Sequence, residues 1–129
     1  MSDYTIVNLY DSPDVAPGRM PEGVEARFPK RELGCTVGAV GFEKLAPGVR
    51  FPFGHRHAKQ EELYVVVEGG GRVKLDDEIR DVRRWDVVRV GPQTMRCFEA
   101  GPDGIAFLAY GATIGEESDS EIVPGWWDD

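Results

Sequence analysis

From Cys35 to Gly111 the chain never sustains an apolar spacing of three and four residues. It runs through short stretches of Val, Phe, Tyr and Leu cut by Gly, Pro and Asp. No segment joins a helical period to a cap and a stop, so helices are not the main element. The stretches predict strands at 36–45, 62–68, 71–75, 79–82, 86–90, 96–100 and 105–110. Asp76-Asp77 reads as a hairpin turn, and Ala46-Pro47-Gly48 and Gly101-Pro102-Asp103-Gly104 read as tight connections. Many short strands at close spacing imply an all-β sandwich, jelly roll or closed barrel, since these solutions protect sheet edges from further pairing.

Two flanking segments differ from this body. Residues 1–34 hold Pro13, Pro17, Pro21 and Pro29 with Gly18, Gly23 and Gly34, a density that predicts an irregular arm lying over the body. Only residues 5–9 look like a strand there. Residues 115–129 are acidic but carry Ile122, Val123, Trp126 and Trp127. Two adjacent Trp present too much apolar surface to leave in water, so the pair is expected to dock on the body or on a neighbouring subunit. At 129 residues the whole is one domain. The expected organisation is an arm at 1–34, a β body at 35–114 and a tail at 115–129.

Charge narrows the function classes. The formal net charge is -8, from 23 acidic and 15 basic residues, and the basic clusters Lys30-Arg31 and Arg80 to Arg84 are flanked or interrupted by acids. Such a chain repels phosphate backbones and anionic lipid, so neither nucleic acid nor membrane is an expected partner. The first twenty residues lack a basic and an apolar region of the secretory kind, and no apolar run approaches the roughly 20 residues that span a bilayer. A cytoplasmic location is the expectation. Cys35 and Cys97 fit no CxxC pattern and read as inert thiols.

Chemistry concentrates in one segment, Gly54-His55-Arg56-His57-Ala58-Lys59-Gln60-Glu61-Glu62-Leu63-Tyr64, which holds both histidines of the chain. On an extended backbone, side chains two apart share a face, so both imidazoles project together. With a carboxylate from the next strand they would form a two-His, one-carboxylate set suited to iron, manganese, zinc or nickel. Taken alone, His-x-His is a weak signal and reads first as a polar loop entering a strand, with exposed or hydrogen-bonded rings.

The wider pattern resembles the cupin superfamily. Its first motif runs Gly, His-x-His, three or four residues, Glu, six residues, Gly. Here it is carried by His55, His57, Glu62 and Gly69, with Gly48 one residue further upstream than usual. Glu62 rather than Glu61 sets the six-residue interval to Gly69, leaving Glu61 as a solvated neighbour. The second motif is looser: Trp85 stands where a Gly belongs, Pro-x-Gly shrinks to Gly91-Pro92, and Arg96 occupies the place of the fourth ligand, His. The resemblance covers about residues 36–111. It implies a double-stranded β-helix, or jelly-roll barrel, with a divalent metal on His55, His57 and Glu62 and a small-molecule ligand in the barrel. Together with the Trp pair, it also implies a homodimer.

Arg96 leaves three arrangements open, because a guanidinium offers only donors and cannot ligate a metal. A metal could bind the other three residues while Arg96 holds an anionic or carbonyl-bearing substrate, for isomerase, lyase or dioxygenase chemistry. Without metal, Arg96 could pair with Glu62 in a binding or sensor module. Or the pair could be structural and the pocket vestigial. Strand parity turns Tyr64 toward the face of Glu62, and Phe98 toward that of Arg96 as an apolar wall. It turns Cys97 away. Trp85 is expected to pack, and Lys59 and Gln60 to lie solvated at the mouth.

Overall fold

A computed structural model describes residues 2–112 and 120–129. Eight antiparallel strands curl into one barrel-like body: β1 Val24–Arg27, β2 Gly38–Leu45, β3 Phe53–His57, β4 Glu62–Leu75, β5 Glu78–Arg83, β6 Val87–Val90, β7 Arg96–Ala112 and β8 Ser120–Pro124. Neighbours run β1-β2-β7-β3-β8, and β4 pairs with β5, β6 and β7. The expected all-β class holds. Among the described residues no helix is long and apolar enough to cross a membrane.

Alternation decides which faces turn inward. Tyr64 and Val66 on β4, Phe98 and Ala100 on β7, and Leu45 on β2 are all at most 3% exposed. Phe98 and Phe107 stack with centroids 4.3 Å apart, and Tyr64 tilts against Phe98 at 5.1 Å. The core reaches directly to the site, since Phe51 and Tyr64 belong to both.

Several local expectations need correction. Residues 5–8 form no strand, and Leu9–Asp11 make a 3-10 turn whose Tyr10 N–H donates to Asn8 Oδ1 at 2.9 Å. Ile6 and Tyr4 are exposed, so the alternation of that segment has no buried face to serve. The arm instead contributes β1, with Val24 and Ala26 buried, and one helical turn, α1 (Lys30–Leu33), ended by Gly34 at φ 73°.

Gly101 to Gly104 is not a connection between strands but an interior stretch of β7. Pairing with β4 steps from Gly71↔Ala100 to Gly69↔Ile105, so those four residues bulge out opposite Gly70. The same irregularity joins 62–68 and 71–75 into the single strand β4. The hairpin at Asp76-Asp77 forms as expected, between Leu75 and Glu78. Trp85 does not pack inside: it is exposed, at φ 74°, in the turn before β6. This is the left-handed conformation that glycine adopts without a Cβ penalty. Residues 115–119 of the expected tail, and its boundary at 114, lie outside the described residues.

Candidate metal centre and cavity

Two hydrogen-bonded neighbours fix the histidine strand β3. On one side β8 pairs along its whole length, setting His55 opposite Ile122 and His57 opposite Ser120. On the other, His55 stands directly across from Arg96 of β7, and the His57 N–H donates to the Pro92 carbonyl at 2.8 Å. Behind the strand, a Cβ on Gly54 would lie 2.8 Å from the ring of Trp126, so the glycine lets the indole seat there. Trp126 and Trp127 thus dock on the chain's own barrel. Arg50 and Arg72 lie over the Trp127 ring at 4.6 and 5.3 Å, Lys74 lies 4.0 Å from Trp126, and the Trp127 indole N–H points to Cys97 Sγ at 3.2 Å.

His55, His57 and Glu62 converge. His55 Nε2 and His57 Nε2 stand 3.1 and 3.2 Å from Glu62 Oε1, and the three ligand atoms lie within 4.8 Å of one another. Adjacent octahedral ligands at the usual bond length of about 2.1 Å are themselves about 3.0 Å apart, a spacing that both His–Glu62 separations match. The group could hold a metal. Tyr64 Oη donates to the same Oε1 at 2.6 Å, and Gln60 Nε2 donates to Oε2 at 3.3 Å. Burial raises the affinity of Glu62 for a proton, but hydrogen bonds from His55, His57 and Tyr64 outweigh it and hold the carboxyl well below the usual range. Burial and the Glu62 charge together push the Tyr64 phenol up.

Arg96 is 1% exposed and reaches into this site from below. Its Nη2 is 3.5 Å from Glu62 Oε1. Nη1 donates to the carbonyls of His55, Pro92 and Thr94 at 3.3, 3.3 and 2.8 Å, while Nε has no hydrogen-bond partner among the described residues. The guanidinium therefore clamps β3 to the turn before β7 and places positive charge beside the carboxylate.

In front of the triad opens a cavity of about 320 Å³, lined by Phe51, Phe53, Tyr64 and Ala109, with Met20 and Phe28 of the arm and Ile122 of β8 at its edge. Glu43 of β2 lines it too, and sequence reasoning missed it. Its neighbours in parity, Gly41 and Leu45, turn inward, which was the available signal. Burial, and secondly the charge of Glu62, push the Glu43 carboxyl up to about 8. Gln60, expected to lie solvated at the mouth, is instead half-buried and turned onto Glu62. Two residues before Glu62, it shares that residue's face, and it packs against Gly111, where no Cβ stands in its way.

The other singled-out residues fall as follows. Phe98 is part of the aromatic cluster beneath the site. Cys97 is buried under Trp127 with Sγ 3.4 Å from the Phe51 carbonyl, and burial pushes its thiol up to about 11. Glu61 is exposed and pairs with Arg89 at 3.0 Å, and Lys59 is exposed.

No family model matches the chain. A curated relative, an uncharacterized protein from Methanocaldococcus jannaschii, is 38% identical over 40 residues, 31% of this chain and 32% of that protein, so the match spans about a third of each. Solved structures cover far more. A cupin protein from Bacteroides fragilis superposes with TM-score 0.72 at 24% identity, over 91% of this chain and 90% of its own. The polyketide cyclase RemF from Streptomyces resistomycificus gives 0.75 at 18%, over 97% and 87%. An oxalate decarboxylase from Bacillus subtilis gives 0.70 at 24%, over 89% of this chain and 32% of that one. Identities this low speak for architecture, not for a shared reaction. With the curled antiparallel sheet and the His-x-His strand facing Glu62, they identify the chain as a small protein of cupin fold.

Proposed function

We propose that this protein is a metal-binding cupin that takes a small anionic or carbonyl-bearing molecule into the cavity beside its triad. In this reading His55, His57 and Glu62 hold iron, manganese, zinc or nickel. The observation that carries it is the approach of two imidazole nitrogens to one carboxylate oxygen at 3.1 and 3.2 Å. When bound, the metal supplies Lewis acidity toward a ligand oxygen. The chain's own residues orient and select. Tyr64 and Gln60 fix the Glu62 carboxylate, Phe98 backs the aromatic wall, and Arg96 supplies the countercharge that an anion lacks elsewhere in the cavity.

Elemental analysis of untagged protein, beside a His55→Ala/His57→Ala control, tests this. Near-stoichiometric metal, lost in the control, is the expected result. Absence of metal after reconstitution with all four ions would overturn it.

One observation favours a second reading. Arg96 Nη2, 3.5 Å from Glu62, already supplies a cation next to the carboxylate, which opposes a divalent ion unless an anion lies between them. In that case the protein is a metal-free binding module, and a ligand would stabilise it equally with and without chelator.

A further inference from the structure

The inner end of the cavity narrows into a recess of about 10 Å³, lined by Glu43, His55, Tyr64, Arg96, Cys97 and the phenylalanines beneath. Five residues line both spaces, Glu43, Phe51, Phe53, His55 and Tyr64, so the recess is the deep end of the same pocket. A volume near 10 Å³ admits about one oxygen-sized group. Its walls are mostly aromatic, and a polar group buried there without a partner forfeits its hydration and gains nothing in return. One such group, Arg96, faces it, and the half-buried Glu43 carboxyl lines it alongside. Arg96, 1% exposed, has Nε without a hydrogen-bond partner and Nη2 with only the 3.5 Å approach to Glu62. The Glu43 carboxyl has no hydrogen bond or ion pair to any described residue, while its backbone is paired within the sheet.

We propose that this recess is the polar subsite of the cavity, where Glu43 and Arg96 together hold one oxygen of a compact carboxylate or carbonyl compound whose apolar remainder lies against Phe51 and Phe53. The inference rests on the reading that the cavity takes a small molecule, and it adds the residue and the oxygen that recognition turns on. Burial, and secondly the charge of Glu62, favour the neutral form of Glu43, so both side chains bring N–H or O–H donors to the same recess. Two donors aimed at one oxygen discriminate against a ligand of equal size that lacks it, because the site would then keep both groups unpaired.

Benzoate and toluene, close in shape and differing in the carboxylate, serve as probes at pH 6, with binding read from amide chemical-shift titrations of the full chain. The wild type is expected to prefer benzoate at least tenfold. Glu43→Gln keeps a donor and should hold that preference within about threefold, while Glu43→Leu should abolish it. Arg96→Met should abolish it as well, and Glu43→Leu decides the question if Arg96→Met does not fold. Equal binding of the two probes by wild type, or a preference that survives Glu43→Leu, would overturn the subsite. If wild type carries metal but binds neither probe, the subsite fails and the metal centre stands. If the preference appears in protein that takes up no metal, the metal centre alone fails.

Discussion

Arg96 Nη2 faces Glu62 Oε1 at 3.5 Å, with Arg96 almost wholly buried and directly across the strand pair from His55. The same guanidinium donates to three main-chain carbonyls, so it joins the charge of the site to the scaffold beneath. Arg96→Ala should cost about 3–5 kcal/mol in urea denaturation, since it removes the cation beside Glu62 and the side-chain donor to the His55, Pro92 and Thr94 carbonyls, of which Pro92 keeps the His57 N–H. A loss below about 1 kcal/mol, the range of an exposed ion pair, would mean that the pair is not structural.

Arg96→His restores the ligand type that the cupin pattern carries there and removes a fixed positive charge. Zinc or manganese affinity should rise at least tenfold, measured by competition with a chromophoric chelator. Unchanged affinity would show that the guanidinium does not weaken the site.

Tyr64→Phe deletes the 2.6 Å hydrogen bond to Glu62 and little else. A bond to a charged acceptor contributes about 1.5–3 kcal/mol, and the variant should lose stability of that order. Calorimetry at neutral pH checks it.

Glu62 and Glu43 make stability depend on pH in opposite senses. Glu62 titrates below its ordinary value when folded, so its contribution is complete above the ordinary carboxylate range of about 4.3 and is lost as pH falls through the folded value. Glu43 titrates at about 8 when folded. Between about 4.3 and that value the folded state holds a proton that the unfolded state has released, so stability declines as pH rises through the window. Urea midpoints from pH 5 to 9 should show this decline in the metal-free wild type and a flatter profile in Glu43→Gln. Identical slopes would assign the decline to another group.

Trp85 sits at φ 74° and is exposed. Trp85→Gly removes the Cβ penalty of that conformation at the cost of a floppier unfolded chain, and should stabilise by about 1 kcal/mol. A lower melting temperature would show that the ring's contact with Arg84 matters more.

The sequence made the barrel and the triad legible because both rest on local rules. Alternation across β4 and β7 orders their faces, and two-residue parity aligns His55 with His57. What escaped it was set by distant partners. Val24–Arg27 becomes a strand because β2 offers it a paired edge, and residues 5–9 do not because nothing offers them a face. Glycine and proline at 101–104 signal a break in regular structure, yet cannot say whether the strand ends or bulges and resumes. Glu43 escaped for another reason: a single carboxyl in a strand looks like a solvated residue until the sheet curls and turns it inward.

Strand β3 carries both histidines, but the strand that pairs along its length begins at Ser120, with the indole of Trp126 seated behind Gly54. Closing a loop of about 70 residues has a real entropic cost before any contact across it forms. By loop-closure cost, assembly of the site is expected to follow formation of the local hairpins. The hairpin of β4 and β5 can form on its own time, while the histidines wait for a segment far downstream to dock. A folding intermediate with a formed hairpin would thus contain every ligand and still have no place to bind an ion.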